Sequence, residues 1–398
     1  MSGTTPWKRQ RRSAMIRVSL VSLFPSTKDM PMDGHDSIRF DLQPHPAPTA
    51  ADARAALVAN PGFGRVFTDH MVVIDYTEGQ GWHDARVTAR APLTLDPACA
   101  VLHYAQEIFE GLKAYRTPTG GAAMFRPDAN ARRFHKSAER MAMAPLPEAL
   151  FLESVRRLVQ VDRDWIPSAE GGSLYLRPFM IANETFLGVK PSAQYLYMVI
   201  ASSVGSYFKG GADGVTVWVS QNDTRAASGG TGAAKCGGNY AASLRAQAEA
   251  VRNGCDQVVF LDAVERRRVE ELGGMNVFFV FEDGSLLTPP LDGTILPGIT
   301  RDSIITLARD AGLTVREAHY TLDEWRADAA SGKLQEVFAC GTAAVITPIG
   351  RIRNPAGEFV AGAAGTAGGP VTQRLRKTLV DIQRGTAPDP HGWVHTVF

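Results

Sequence analysis

Cysteine is scarce in this sequence, with four residues in 398. Their scattered spacing fits neither a zinc site nor a dense disulfide framework. The nine histidines form no H-E-x-x-H motif or comparable cluster, so the sequence predicts no metal site. We interpret Cys99, Cys236, Cys255 and Cys340 as reduced thiols, which predicts a cytoplasmic protein.

An excess of charge of either sign is also missing. Forty-two basic residues are balanced by 41 acidic ones, and the net charge is +1. This balance gives no electrostatic reason to expect binding to nucleic acid or to an anionic membrane. No stretch reaches the ~18 uncharged apolar residues of a membrane span. The sequence therefore predicts neither a nucleic-acid partner nor a membrane segment.

The first 35 residues differ from the rest of the chain. The run from Trp7 to Arg12 is basic, and no acidic residue occurs before Asp29. A transit peptide, a signal peptide, a disordered arm and a start placed too far upstream all fit this composition. We expect residues 1–35 to form an N-terminal arm with no catalytic role.

The remaining length is enough for two domains, each with its own core. A Gly- and Ser-rich stretch at residues 202–214 separates two apolar regions. We predict a small domain over residues 36–203, an interdomain loop over 204–214 and a larger domain over 215–398.

One lysine stands out in the second region. Lys235 lies in a run of small residues, 226–239, between an alternating strand pattern at 215–220 and a helical pattern. That helical pattern is carried by Tyr240, Leu244, Ala248 and Val251. Small neighbours leave the lysine few polar partners in sequence, and a desolvated lysine loses its proton more readily, as a Schiff-base lysine must.

A phosphate-binding loop is the alternative interpretation of this glycine-rich run. That motif requires glycine directly before the lysine and Ser or Thr directly after it. Ala234 and Cys236 occupy those positions, and no G-x-G-x-x-G is present. A nucleotide-binding protein therefore stays the less favoured alternative.

Two further segments have the chemistry of an anion site. Thr300 can cap a helix after Pro297-Gly-Ile, and helix N-termini bind phosphate through free N–H groups and the helix dipole. Residues 341–343, Gly-Thr-Ala, could add amides and a hydroxyl. A carboxylate is available in Glu270-Glu271. An activated lysine, a phosphate site and a carboxylate beside a ring nitrogen are what pyridoxal 5′-phosphate needs.

The segment 128–143 predicts an amphipathic helix that Asp128 or Asn130 could cap. Its apolar positions recur at helical spacing and would face the core. Arg132 and Arg133 would point away from that stripe, so that one of them could meet an anion.

Taken in order, these segments closely resemble the branched-chain amino acid aminotransferases of pyridoxal-phosphate fold type IV. The resemblance extends from about Phe63 to Pro348. It implies an α+β fold with a smaller N-terminal α/β domain and a larger C-terminal domain with a β-barrel-like core, assembled as a homodimer. The matching stretches are FGRVFTDHM, HYAQEIFEGLKAYR, FRPDANARRFHKSAERM, SLYLRPFMIANETFLGVKP, GGTGAAKCGGNYAASL, EELGGMN, PPLDGTILPGITR and GTAAVITP.

The resemblance implies pyridoxal 5′-phosphate as the cofactor and a role for each matching residue. Lys235 looks like the Schiff-base lysine and the general acid and base. Tyr240 matches the partner of the phenolic oxygen, and Glu271 matches the partner of the pyridine nitrogen, which leaves Glu270 solvated or structural. The residues that match the phosphate site are Arg133, in preference to Arg132, with Ile299, Thr300 and Thr342.

The resemblance also implies the substrates, which are L-leucine, L-isoleucine or L-valine with 2-oxoglutarate. Arg177 could pair with the second carboxylate of glutamate, and the amides of Thr342 and Ala343 would hold the α-carboxylate. D-amino acid aminotransferases and aminodeoxychorismate lyases share the lysine and the glutamate, so they remain alternatives. The residues that match the substrate pocket are Phe63, Tyr104, Phe109, Tyr175, Arg177 and Tyr207.

Two positions depart from the mammalian members of the family. Ala344 and Thr347 stand where those enzymes carry a redox CxxC, so we predict no thiol switch. Gly274 stands where they carry threonine, so the contacts to the α-carboxylate should depend more on backbone amides.

Overall fold

The structure is a computed structural model, and it describes residues 39–169, 171–205, 214–365 and 368–398. The N-terminal arm expected over residues 1–35 lies outside the described residues, as does Tyr207. Helices and strands both contribute substantially, as the α+β prediction requires. The helices are Ala51–Ala59 (α1), Ala100–Tyr104 (α2), Pro127–Arg140 (α3), Glu148–Val161 (α4), Gly237–Ala241 (α5), Leu244–Arg252 (α6), Ile299–Asp310 (α7), Leu322–Ser331 (α8) and Pro370–Arg384 (α9).

The first sheet holds ten strands within the described residues, and most of its neighbouring strands are antiparallel. Its central order along the sheet is β4-β3-β9-β8-β6-β7. Helices α3 and α4 cover one face and bury a shared apolar core. The strands are Asp41–Leu42 (β1), Val66–Phe67 (β2), His70–Thr77 (β3), Gly81–Ala89 (β4), Glu107–Phe109 (β5), Leu112–Arg116 (β6), Ala122–Phe125 (β7), Ser173–Ala182 (β8), Gln194–Val204 (β9) and Val394–Thr396 (β19).

The second sheet has nine strands in the part of the chain that is described, and it curls into a half-barrel. Its apolar interior is one core, and helices α7 and α9 pack a second core against its outer face. The strands are Val215–Val219 (β10), Gln257–Leu261 (β11), Val269–Leu272 (β12), Asn276–Phe281 (β13), Leu286–Thr288 (β14), Val315–Glu317 (β15), Leu334–Gly341 (β16), Val345–Asn354 (β17) and Gly357–Val360 (β18).

The two sheets follow each other along the chain. The first sheet uses residues up to Val204, and the second begins at Val215. The C-terminal strand β19 returns to pair with β7 at the edge of the first sheet. The division into domains at residues 203 and 215 stays a prediction.

Helix α3 forms where the apolar spacing predicts it, but it begins one turn earlier than a cap at Asn130 would require. Pro127 is the first helical residue, and proline suits that position because its missing N–H needs no partner there. No side chain caps the helix, so the expected cap at Asp128 or Asn130 is wrong. Asn130 is instead buried inside the first turns, where it hydrogen bonds to Glu110.

The helical pattern after the lysine is also real, but the residues that carry it are not the ones that face the core. Leu244 and Val251 are exposed, and the buried positions of α6 are Ala246 and Ala250. These alanines belong to a small core with Trp218 and other residues of β10 and β11. Small side chains let the helix approach the strands closely, which turns the larger ones outward.

Candidate active site

A cavity of about 430 Å³ gathers most of the residues predicted for the site. It lies where β5, the start of β6 and α3 meet the loop of Lys235, the N-terminus of α7 and the turn between β16 and β17. The predicted site residues that line it are Phe63, Phe109, Arg133, Tyr175, Arg177, Lys235, Tyr240, Ile299, Thr300, Thr342 and Ala343.

The amine of Lys235 is held by one tyrosine. Nζ donates a hydrogen bond of 3.0 Å to the hydroxyl oxygen of Tyr240. It lies 4.9 Å from the ring centroid of Phe109 and 5.4 Å from that of Tyr240. Helix α5 begins two residues after the lysine, so a single turn brings Tyr240 back over the amine. The two residues predicted to act together therefore do meet.

The backbone of Lys235 is anchored on both sides. Its N–H donates to Ser137 Oγ of α3 at 3.0 Å, and its carbonyl accepts the N–H of Phe109 at 2.9 Å. The neighbouring side chains of Ala234 and Cys236 are buried in the core of the first sheet. The lysine is thus presented from a fixed backbone, while its side chain remains half-buried in the cavity.

Arg133 is held by a carboxylate that the sequence analysis did not identify. Its Nε and Nη2 donate to the two carboxylate oxygens of Glu110 at 2.7 and 2.8 Å, and Nη1 donates to the carbonyl of Pro297 at 3.1 Å. Burial alone would raise the pKa of Glu110, but the charge and hydrogen bonds of Arg133 outweigh it and hold that pKa below its usual range. The guanidinium is therefore fixed, with N–H groups to spare for an anion.

The anion end of the cavity is the first turn of α7. The helix begins at Ile299 with Gly298 as its N-cap, so the expected cap at Thr300 is wrong. A Cβ at position 298 would collide with the side-chain oxygen of Asn276, which explains the glycine. Thr300 is buried within the first turn and lines the cavity instead. Free N–H groups at this turn and the helix dipole favour a phosphate.

Glu271 is fully buried on β12, and it is not among the residues that line the cavity, although it lies close enough to Lys235 for their charges to interact. Its Oε2 is 2.5 Å from Nη2 of Arg225, but Arg225 directs that nitrogen's hydrogen bond to the carbonyl of Thr294. Within the described residues Oε2 consequently accepts no hydrogen bond. Burial raises the pKa of Glu271, and the charge of Arg225 opposes that rise. An acceptor of this kind suits a ring N–H.

The substrate side combines aromatic rings with one cation. The guanidinium of Arg177 lies 4.8 Å from the ring centroid of Phe109, and its Nη2 donates to the hydroxyl of Tyr175 at 3.2 Å. Its Nε is buried and has no hydrogen-bond partner in the part of the chain that is described. Arg177 therefore keeps hydrogen-bonding capacity for a carboxylate.

Two glycines keep these rings in place. A Cβ at Gly111 would collide with the hydroxyl of Tyr175, and a Cβ at Gly274 would lie 3.1 Å from the ring of Tyr240. A threonine at position 274 would therefore require Tyr240 to shift.

The other predicted residues lie elsewhere. Tyr104 is partly exposed at the end of α2, donates to the carbonyl of Leu187, and does not line the cavity. Arg132 is on the surface of α3, paired with Asp128. Glu270 is buried and accepts a hydrogen bond of 2.8 Å from Thr294 Oγ1, so it is structural rather than solvated. Tyr207 is not among the described residues.

The sequence analysis missed three residues that hold the site. Glu110 accepts two hydrogen bonds from Arg133, Asn130 donates to Glu110, and Arg225 pairs with Glu271. The available signal was a charged residue inside an otherwise apolar or small-residue run, as with Glu110 between Phe109 and Gly111 and Arg225 before two alanines. Such residues are costly to bury unless they are paired.

Metal and membrane features are both missing from the described residues. They contain no group of three or more His, Cys, Asp and Glu side chains that could bind a metal ion. None of their helices combines the length and the apolar character that crossing a membrane would take. The four cysteines are free and buried.

The residues present fit pyridoxal 5′-phosphate. Arg133 and the first turn of α7 provide donors for a phosphate, and Tyr240 can hydrogen bond a phenolic oxygen. The unsatisfied Oε2 of Glu271 suits a protonated ring nitrogen. Lys235 supplies the amine, 3.0 Å from the hydroxyl of Tyr240.

Comparison with known sequences agrees with this donor set. The family described as amino-transferase class IV matches residues 107–352. The probable branched-chain-amino-acid aminotransferase of Streptomyces coelicolor is 56% identical over 90% of this chain and 98% of its own length. The branched-chain-amino-acid aminotransferase of Mycobacterium tuberculosis is 57% identical, with the same coverage of both chains.

Solved structures give the same picture at lower identity. The branched-chain amino acid aminotransferase of Escherichia coli is 30% identical with a TM-score of 0.67, over 82% of this chain and 99% of that one. The enzyme of Thermobaculum terrenum, solved in its PLP form, is 25% identical with a TM-score of 0.66, over 82% and 98%. The predicted α+β fold of type IV is confirmed. The chain belongs to the class IV aminotransferase family and, within it, to the branched-chain amino acid aminotransferases.

Proposed function

We propose that this protein transfers the amino group of L-leucine, L-isoleucine or L-valine to 2-oxoglutarate with pyridoxal 5′-phosphate as cofactor. The observation that carries the proposal is the cavity in which the Lys235–Tyr240 pair and the Arg133 anion end converge, with the carboxylate of Glu271 buried close enough to Lys235 for their charges to interact. The names of relatives that are 56 and 57% identical support the substrate class. The nucleotide-binding alternative has no such support.

When bound, the cofactor would supply an aldehyde carbon to carry the amino group from one substrate to the next and a ring to accept electrons. Lys235 Nζ would take the proton from the substrate Cα and return one to the product, as general base and acid. Tyr240 orients that amine. Arg225 opposes the protonation of Glu271 that burial favours, so that Glu271 would hold the ring nitrogen protonated, and Arg133 with Thr300 would hold the phosphate.

The site must accept an aliphatic side chain and, in the second half-reaction, a carboxylate. Phe63, Phe109 and Tyr175 form an apolar wall for the first requirement. Arg177 lies beside that wall and would bind the carboxylate. No carboxylate of the described residues lies within ion-pair distance of its guanidinium, so its N–H groups are available. The backbone amides of Thr342 and Ala343 hold the α-carboxylate of either substrate.

The test is a half-reaction with purified protein. Without 2-oxoglutarate, L-leucine should change the visible absorption of the bound cofactor and yield one equivalent of 4-methyl-2-oxopentanoate per site. D-Alanine and aminodeoxychorismate should do neither, which separates the two alternatives within the fold. Lys235→Ala should retain the fold by circular dichroism and lose both signals. Turnover in that variant would refute the assignment.

We further propose a cytoplasmic homodimer with domains divided near residues 203 and 215. The balanced charge and the free, buried cysteines support the location, and the family resemblance supports the assembly. Light scattering coupled to gel filtration tests the assembly, since a monomer of 42.9 kDa and a dimer differ twofold in mass. Cell fractionation tests the location.

A further inference from the structure

A second cavity lies behind the turn that connects β16 to β17. Its volume is about 750 Å³, larger than that of the candidate active site, and it lies between β6, β8 and α9. Ala343 and Ala344 line both cavities, so this turn separates them. We call the second one the rear cavity. Its size falls within the range of small-molecule sites.

Positive charge dominates the rear cavity. Lys113, Arg376, Lys377 and Arg384 line it, and Asp381 is the one carboxylate among its described lining residues. Asp381 is already paired with Lys377 at 2.5 Å. Lys113, Arg376 and Arg384 have no carboxylate within ion-pair distance in the described residues. Among the described residues, three cations thus face a shared space without a carboxylate partner of their own.

Two of the lining side chains are buried with hydrogen-bonding capacity that the described residues leave unused. The ammonium of Lys113 has three donors, and within the described residues it uses one, to the carbonyl of Ala343 at 3.0 Å. The hydroxyl of Ser173 on β8 is buried with no hydrogen-bond partner there. Burial and the nearby charge of Arg384 lower the pKa of Lys113 to about 8. Buried hydrogen-bond donors normally have acceptors. The unused donors of Lys113 and Ser173 therefore indicate that a bound group supplies the acceptor.

The cations are spread along the cavity. Arg376 and Arg384 are eight residues apart on α9, which corresponds to about 12 Å along the helix. Arg384 is steadied by a hydrogen bond of 3.0 Å to the carbonyl of Gly172 and lies over the ring of Tyr115. Separated cations match separated acidic groups better than they match a single small ion.

We propose that the rear cavity binds a small organic anion with two or more separated acidic groups, either carboxylates or phosphates. Lys113 and Ser173 would contact it from the sheet, and Arg376 and Arg384 from α9. An ammonium can donate to the anion and to Ala343 at once. A bound anion therefore steadies the turn 342–344, whose amides, on the proposed function, hold the substrate α-carboxylate.

The binding test uses the holoenzyme and isothermal titration calorimetry. Citrate and pyrophosphate are the probes, with inorganic phosphate as the single-group comparison. At least one probe should bind at about 10 mM or below, and the Arg376→Gln/Arg384→Gln variant should bind it at least ~10-fold more weakly. The tighter of the two probes identifies the acidic group.

Three variants keep this outcome interpretable. Arg374→Gln removes an equal charge from an exposed position of α9 outside the cavity and should leave binding unchanged. Arg177→Gln should also leave it unchanged, because Arg177 lines the other cavity. Arg376→Lys/Arg384→Lys should restore most of the affinity if charge is the cause. Absence of binding, equal loss in Arg374→Gln, or loss in Arg177→Gln would overturn the site.

The coupling is tested separately, because it rests on the proposed function and the binding test does not. Saturating citrate or pyrophosphate should lower the KM for L-leucine about fivefold in the wild-type enzyme and should not do so in Lys113→Met. Binding without any change in KM would refute the coupling and leave the site. Loss of all transamination with binding intact would refute the proposed function alone.

Discussion

Arg225 Nη2 lies 2.5 Å from Glu271 Oε2, and both side chains are almost fully buried. A carboxylate in such a place would take up a proton if it had no cation beside it. Arg225 therefore shifts Glu271 towards its anionic form, against the effect of burial, and in the proposed function the second partner of that carboxylate is the ring nitrogen of the cofactor. Arg225 acts through Glu271 as a positioning residue.

Arg225→Met should destabilise the cofactor-free protein by about 3–5 kcal/mol, because it leaves a buried carboxylate without its partner. Arg225→Lys should lower the free energy of unfolding by less, because lysine keeps the positive charge. Urea unfolding gives the free energies. Arg351→Met is the matched control, because Arg351 pairs with Glu358 at the exposed surface and should cost at most about 1 kcal/mol. Equal losses in the two methionine variants would contradict the role of burial.

Glu110→Gln should weaken cofactor binding as well as the fold. The amide keeps the shape of the side chain but removes the negative charge that accepts two hydrogen bonds from Arg133. We expect the free energy of unfolding to fall by about 3 kcal/mol. Fluorescence titration of the cofactor-free protein with pyridoxal 5′-phosphate measures the affinity. Glu153→Gln, on the exposed side of α4, should change stability by about 1 kcal/mol or less and leave that affinity unaltered. An unchanged affinity in Glu110→Gln would argue against Arg133 as a phosphate ligand.

Gly298→Ala should disturb the anion end of the cavity. The added methyl group collides with the side-chain oxygen of Asn276, so either the first turn of α7 or Asn276 must move. We expect this movement to lower the free energy of unfolding by about 1–3 kcal/mol. Gly238→Ala is a suitable control because nothing lies within 4 Å of the added group. The same cofactor titration should show weaker binding for the first variant and wild-type binding for the second.

The stability of the first sheet should depend on pH through His70. Its Nδ1 lies 2.7 Å from Asp162, and that hydrogen bond raises the pKa of the imidazole above its ordinary value despite burial. The protonated form is therefore favoured by folding. The stabilisation is complete below the unfolded pKa of about 6.5 and is lost as pH rises through the folded value.

His70→Gln should consequently lower the free energy of unfolding more at about pH 5.5 than at about pH 8.5. We expect the difference between the two losses to be about 1–3 kcal/mol. Urea unfolding at the two pH values measures both differences. A cost that grows with pH would mean that the neutral imidazole is the stabilising form.

Peroxide should not act as a reversible switch on this enzyme. The four cysteines are free and buried, and Ala344 and Thr347 stand where the mammalian relatives have their redox pair. Burial raises the pKa of Cys340, the thiol that lines the candidate active site, so little thiolate is present to react. Activity measured after peroxide and then dithiothreitol should show no recovery step. Recovery would reveal a thiol pair that these positions do not explain.

Local sequence patterns predicted the elements well where one residue type dominated each face. The strand pattern at 215–220 corresponds to Val215–Val219, and the helix predicted over 128–143 corresponds to Pro127–Arg140. The helix after the lysine was found, but its buried side was not. Leu244 and Val251 suggested an apolar face, whereas close approach to Trp218 selected Ala246 and Ala250.

The site was predictable only in part, for a physical reason. Lys235 and the first turn of α7 carry their chemistry within short segments, so local sequence could single them out, whereas the role of Tyr240 came from the family resemblance. The supporting ion pairs join residues 23 and 46 positions apart, Glu110 with Arg133 and Arg225 with Glu271. Which charges are buried depends on how the sheets and helices pack, and local spacing does not record that.

The C-terminal strand has a consequence for how the chain is made. Val394–Thr396 pairs with Ala122–Phe125, and the N–H of Val397 bonds to the carbonyl of Ala122 at 2.8 Å. These residues thus cover a sheet edge formed by residues translated long before them. A nascent chain in which Val394–Thr396 still lies in the ribosomal exit tunnel must leave that edge open, so this edge of the first sheet is paired only after those residues emerge.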